Sequence, residues 1–256
     1  KLIKKGYTPK RSILIGHWDA EEHGLIGSTE WVEQMREDLS AKGVAYLNFD
    51  GAVSGKKFGA SSAPSLKKLI IDATKEVKYP YTDETVFSFW KGEENQEPPI
   101  GNLGGGSDHV GFYMHLGIPS MSGGSGGTTV YHSNYDSFHY YKNFVDPEFK
   151  MGQTIEKIAG IMTLRLANSE IILYDIERYA KDLKIHFERV ESKIKKYDLK
   201  FKGFKLSKES IIKLNESSSE LSSKIILANK EEKLSKKRIK SINKQMISLE
   251  KSFIDN

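Results

Sequence analysis

The chain has 256 residues, 38% hydrophobic and 29% charged, with a formal net charge of +5. That composition excludes wholesale disorder and a fibrous or low-complexity chain, and it leaves ample material for a core. Cys is absent, which removes disulfides, thiolate ligands and cysteine nucleophiles, so any metal must be held by His, Asp and Glu.

No apolar stretch reaches the roughly 20 residues of a membrane span, and no signal peptide is evident. The first residue is Lys1, and a piece of a longer protein is expected. Charge is divided unevenly, with a net of −2 over residues 1–168 and +7 over 169–256. All three Trp and all seven Pro lie in the first part. Such a shift marks two architectures. The basic part carries Lys interleaved with Glu and Ser at helical spacing and few aromatics, which describes a solvated helix face rather than a nucleic-acid patch.

In chain order, residues 12–16 form a short apolar run ending at Gly16, and residues 44–50 a second ending at Asp50. Both read as buried strands opening into loops. Between them a helix is expected over 28–39, opened by a Ser/Thr cap. A second is expected over 64–77, with Leu66, Leu69, Ile70 and Ala73 on one face. Ser107 and Asp108 can cap a helix that runs through Val110, Phe112 and Met114 to Gly117. Residues 118–121 then form a strand that enters a Gly-rich loop, 122–127. Strands alternating with helices predict an α/β layered domain, whose ligand sites gather at the carboxyl ends of the strands. From Asp146-Pro147 onward the sequence is helical, with Asp as cap and Pro at the first position. Ile176, Tyr179, Leu183, Phe187, Val190 and Ile194 form one amphipathic stripe; Ile239, Ile242, Met246, Leu249 and Phe253 form another. An intrachain bundle and a dimer interface would both bury such stripes.

The chemistry concentrates in Trp18-Asp-Ala-Glu-Glu-His-Gly-Leu25. Two consecutive carboxylates after a buried strand repel unless a cation sits with them. A divalent metal resolves the conflict if Glu22 ligates it and Glu21 faces a metal-bound water as general base. A surface turn with exposed acids is the competing reading. Asp50 adds an oxygen donor at the next strand end, although a strand-terminal Asp often caps a turn. Tyr131-His132 supplies an imidazole beside a phenol, and a lone His is more often structural than ligating. Leu103-Gly-Gly-Gly-Ser-Asp108 lets backbone approach a ligand but is not a phosphate fingerprint.

The stretch Trp18-Asp-Ala-Glu-Glu-His-Gly-Leu-Ile-Gly-Ser-Thr-Glu-Trp31 resembles the signature of the glutamate carboxypeptidase II/transferrin receptor family of co-catalytic zinc peptidases. Leu47-Asn-Phe-Asp50, Leu103-Gly-Gly-Gly-Ser-Asp108 and Tyr131-His-Ser-Asn-Tyr135 follow in that family's order. The resemblance implies a three-layer α/β zinc-exopeptidase-like domain over 1–168, incomplete at its N-terminus, and an all-α helical dimerisation-like bundle over 169–256. It implies Glu21 as general base, Tyr131 as oxyanion donor, and Glu22, Asp50 and His132 as ligands of two Zn2+. It also implies Glu30 and Glu33 as calcium ligands, and Gly106 and Ser107 as substrate-facing residues.

The expected function is zinc-dependent exopeptidase action, of carboxypeptidase or dipeptidase type, on peptides or dipeptides. The parent is expected to be membrane-anchored and outward-facing, and to dimerise with itself through the C-terminal helices. The family's first zinc-ligand His and bridging Asp lie farther upstream than this chain reaches, so weak or no zinc binding is expected of it alone. Its glutamate-gripping arginines would fall near 121–127, where this chain has Ser and Gly. The alternatives are a non-catalytic receptor-like scaffold and an inactive paralogue. Retention of Glu21, Glu22, Asp50 and His132 favours the enzyme.

Overall fold

The computed structural model describes residues 3–93, 96–127, 130–198, 200, 203–231 and 234–253. It is a mixed α/β structure whose three-stranded sheet has the order β1-β3-β2 (β1 Tyr46–Asn48, β2 Lys57–Ser62, β3 Ser120–Gly126). β1 pairs parallel with β3 through Tyr46↔Ser120 and Asn48↔Ser122, and β2 pairs antiparallel with β3 from Lys57↔Gly126 to Ser62↔Met121.

The Gly-rich stretch expected as a loop is therefore mostly the central strand. Small residues are needed there because a Cβ on Gly124 would come within 2.7 Å of the Ala52 carbonyl oxygen, so the loop after β1 can lie against β3 only where β3 has no side chain. The strand expected over 12–16 is not formed: these residues have no regular structure, and Ile13, Leu14 and Ile15 are 41%, 74% and 84% exposed. An apolar run becomes a strand only beside a partner, and among the described residues no strand pairs with it.

The first helical stretch is split into α1 (Ile26–Gln34) and α2 (Arg36–Lys42) at Met35. Neither Ser nor Thr caps it; Leu25 sits at the N-cap with φ 60°, and Ser28 is buried in the first turn with its hydroxyl donating to the Leu25 carbonyl. α3 (Pro64–Glu76) forms as its pattern requires, Pro at its start and Leu66, Leu69, Ile70 and Ala73 buried. α4 (Val86–Lys91) follows, capped by the Thr85 hydroxyl. The segment after Asp108 is wider than an α-helix, a π-helical turn over Gly111–His115. α5 (Phe138–Tyr140) runs into a second π-helical turn, Tyr141–Val145.

α6 (Lys150–Asn168) starts later than Asp146-Pro147, yet Asp146 still caps it. Its carboxylate accepts the backbone N–H groups of Lys150, Met151 and Gly152 at 2.9, 3.2 and 2.9 Å. α7 (Glu177–Lys196) and α8 (Phe204–Glu231) pack side by side, with Phe187 edge-on to Phe204 at 4.9 Å, and α9 (Lys236–Lys251) returns to α2, where Lys251 donates to the Ser40 carbonyl.

The α7 stripe is buried only at its start. Ile176 and Tyr179 are covered, whereas Leu183 and Val190 are 41% and 48% exposed. One large core joins Phe58, Leu66, Ile70 and Met121 to Ile158, Ile171, Ile172, Ile225 and Met246, so it runs continuously across residue 168. A smaller cluster holds Val32, Phe112, Leu116 and Ile118 with Trp18, Trp31 and Tyr46. Adjacent residues of β1 serve different clusters, Tyr46 the small one and Leu47 the large one, as strand alternation requires.

Candidate active site

Trp18 anchors the acidic elbow in the small cluster, its ring 5.2 Å from that of Trp31 and 6.0 Å from that of Phe112. The chain then reverses sharply. Ala20 has φ 54° and Gly24 φ 102°, on either side of a single 3-10 turn, Glu21–His23. Left-handed backbone at Ala20 is strained. Two close contacts hold it: the Asp19 carboxylate accepts the Ala20 N–H at 2.8 Å, and the Asp19 carbonyl accepts that of Gly27 at 3.0 Å. A Cβ on Gly27 would come within 2.4 Å of that carbonyl oxygen, so glycine is required there. The turn places both carboxylates at the surface.

From Trp18 a line of hydrogen bonds crosses to the far side of the site. The indole N–H donates to the Tyr46 hydroxyl at 2.9 Å, and that hydroxyl donates to Asn48 Oδ1 at 3.1 Å. Asn48 Nδ2 donates to Ser107 Oγ at 2.8 Å, and Ser107 Oγ donates to Asp50 Oδ2 at 2.9 Å. Asn48 and Ser107 are buried, so the link between them is sheltered from water, while the line ends at the exposed Asp50. Burial, with Asp108 and Asp50 nearby, pushes the Tyr46 phenol up to about 12 against the opposing Trp18 bond. It therefore remains a neutral donor.

Glu22 and His132 meet directly, His132 Nε2 lying 2.8 Å from Glu22 Oε1 with both side chains more than half exposed. His132 also has left-handed backbone, φ 58°, and its ring stacks on that of Tyr131 at 3.7 Å. Glu21 lies within electrostatic reach of the whole group: desolvation, then Asp50, Glu22 and Asp108, push its carboxyl up, and His132 opposes them. The Tyr131 phenol is pushed up by desolvation and by Glu22, Asp50 and Glu21.

The structure thus gathers Glu21, Glu22, Asp50, Ser107, Tyr131 and His132 around one surface. Gly106, with φ 85° and open space where a Cβ would stand, precedes Ser107 in the same loop. Glu30 and Glu33 are exposed on α1. Among the described residues, no group of three or more His, Asp and Glu side chains is arranged to hold a metal ion. Glu22 and His132 bond each other, and Asp50 is tied to Ser107. The residues present therefore do not fit a complete metal cage.

The sequence reading missed Tyr46 and Asn48, whose one signal is their i, i+2 spacing on a single face of β1. It also took Asp108 for a helix cap. The carboxyl of Asp108 is buried, Oδ1 has no hydrogen-bond partner among the described residues, and its charge reaches Glu21.

The sequence profile described as "Peptidase family M28" matches residues 1–147. "Probable glutamate carboxypeptidase LAMP1" of Arabidopsis thaliana is 44% identical over 194 residues, covering 75% of this chain and 28% of that protein. "Probable glutamate carboxypeptidase" of Arthroderma benhamiae is 42% identical over 188 residues, covering 70% and 25%. "Aminopeptidase NAALADL1" of Mus musculus is 34% identical over 201 residues, covering 71% and 27%. The chain therefore spans about a quarter of the length of these relatives.

Proposed function

The chain belongs to peptidase family M28, and on that footing we propose that it contributes the acidic elbow and histidine loop of a zinc-dependent exopeptidase of carboxypeptidase type. Peptidases of this family are generally zinc-dependent. In this reading the layered part, residues 1–168, is a three-layer catalytic domain, and residues 169–256 form a helical domain through which two copies associate. The relatives named as glutamate carboxypeptidases support a free C-terminus as the feature recognised.

The observation that carries the proposal is the convergence of Glu21 with Asp50, Glu22, Asp108 and His132 at the carboxyl end of β1. Glu21 is the proton acceptor for an attacking water. Tyr131, an exposed residue stacked on His132, is the proposed donor to the oxygen of the scissile carbonyl. Glu22 with His132, and Asp50 held by Ser107, are partial donor sets for two zinc ions. Completing either set takes donors beyond the described residues, so no step is assigned to the metal. Glu30 and Glu33 remain the proposed calcium ligands, and Gly106 and Ser107 the proposed substrate contacts.

The test is hydrolysis by the whole protein of paired peptides with free and amidated C-termini. Glu21→Gln should lower kcat by roughly 10²–10⁴-fold, the share usually carried by one general base. Unchanged turnover would remove Glu21 from the mechanism, and equal cleavage of amidated peptides would remove the carboxypeptidase assignment.

A further inference from the structure

The interleaving of Lys with Glu that marks the helical part stops at α9. Residues 235–249 hold Lys236, Lys237, Arg238, Lys240 and Lys244 but no Asp or Glu. All five cations are exposed, and the other exposed residues of that stretch are Ser235, Ser241, Gln245 and Ser248. The outer face is therefore basic or neutral throughout. Among the described residues, none of the five pairs with a carboxylate. Lysines of α8 are answered: Lys208 pairs with Glu191 of α7 at 2.7 Å, and Lys224 with Glu220.

The rotation of α9 is fixed, so this face points outward. Met246 is buried in the large core, and Ile242 and Leu249 pack against it. Asn243 accepts the Ile172 N–H at 2.9 Å and donates to the Glu170 carbonyl at 2.8 Å. Glu250, buried near the helix end, accepts two neutral donors, the Ser65 and Tyr179 hydroxyls, at 2.8 and 2.6 Å. On the outer face Lys236, Lys240 and Lys244 recur every four residues, a stripe about 12 Å long. Like charges at that spacing repel one another. Lys236, Lys237 and Arg238 also stand in the first turn, where the helix dipole is already positive and no acid offsets it. The arrangement costs stability in the free protein and becomes an attraction against a negative surface.

We infer that the exposed face of α9 docks on an anionic lipid bilayer. A cluster of four or more cations on one helix face is drawn to such a surface, each adding to the attraction. The helix lies on the headgroups without entering the hydrocarbon, because its apolar stripe is occupied by the core. A nucleic acid matches less well, since the exposed residues of 235–248 include no aromatic ring for a base to stack on. The inference stands apart from the hydrolytic reading, because none of the proposed catalytic, metal or substrate residues lies on α9.

The whole chain is sedimented with vesicles of equal parts phosphatidylcholine and phosphatidylserine and, separately, with pure phosphatidylcholine vesicles at the same ionic strength. The charged vesicles should bind the wild type and the neutral ones should not. Combining Lys236→Gln, Lys240→Gln and Lys244→Gln should weaken binding at least tenfold while leaving the circular dichroism unchanged. Combining Lys193→Gln, Lys195→Gln and Lys196→Gln, an equal loss of charge at exposed positions of α7, should leave it nearly unchanged. No binding to charged vesicles, equal binding to neutral ones, an unaffected α9 variant, or an equal loss in the α7 variant overturns the inference. Tighter binding of poly(U) RNA through the same α9 lysines also overturns it and assigns the face to nucleic acid. Should the α9 triple variant not fold, Lys240→Glu alone replaces it; a several-fold loss is then expected, and no loss overturns the assignment.

Discussion

Asp182 and Glu250 are buried carboxylates with opposite surroundings. Burial pushes Asp182 up, but the bonds from Lys67 and Arg178 outweigh it and leave the group below the ordinary carboxylate range. Lys67 is itself buried, its side chain 4% exposed, and its further contact is Asn102 Oδ1 at 3.4 Å. Asp182→Ala would strand that ammonium in the interior, a change that typically costs about 3–5 kcal/mol. Urea denaturation should show that loss; a change below 1 kcal/mol, the ordinary scale of an exposed pair, would show that water reaches Lys67. Single residues also mark how far sequence reading extends. Glu21 and Glu22 stand out because adjacent acids after an apolar run are chemically unusual, whereas Asp50 and His132 look ordinary by themselves and were legible only through the resemblance of their segments to a peptidase family. Tyr46 and Asn48 look like any strand pair, and only the fold shows that they carry hydrogen bonds from the elbow to Asp50.

At the scale of elements, α3 was legible because its buried face and its starting Pro agree with each other and with the packing. Residues 12–16 were not. Their apolar run gives the pattern of a buried strand, but a strand is defined by what lies beside it, and pattern alone carries no neighbour. The far half of α7 forms the amphipathic helix its spacing predicts, with Leu183 and Val190 41% and 48% exposed, and its pattern alone does not say whether an intrachain bundle or a second copy covers them. Asp146 shows a subtler limit. The Asp-Pro signal correctly marked a cap, yet Phe149, with φ 54°, occupies the formal N-cap while the carboxylate reaches forward to three N–H groups. Asp146→Ala removes all three acceptor contacts, and α6 should lose about 2 kcal/mol, the upper end for a single cap. A urea midpoint unchanged from wild type would mean that Pro147 and the preceding turn hold the helix start without the carboxylate.

For the whole molecule, the decisive feature is a core that does not stop where the composition changes. Ile171, Ile172, Ile225 and Met246 share it with Leu66, Ile70 and Met121. Asn229 and Asn243 accept the backbone N–H groups of Ile171 and Ile172, each at 2.9 Å, fastening α8 and α9 to the segment after α6. Thermal unfolding followed by near-ultraviolet and far-ultraviolet circular dichroism should therefore give one coincident transition; two separated midpoints would show that the helical part folds by itself. The charge shift read from sequence reports a change of surface, and nothing in composition reveals that both parts bury side chains together. The Ser65–Glu250 bond joins residues 185 positions apart. At ordinary translation rates of 5–20 residues per second, roughly 10–40 s separate the synthesis of those two partners. Throughout that interval the nascent chain must keep the apolar face of α3 from wrong associations, so the time to the synthesis of α9 sets how long that face is vulnerable on the ribosome.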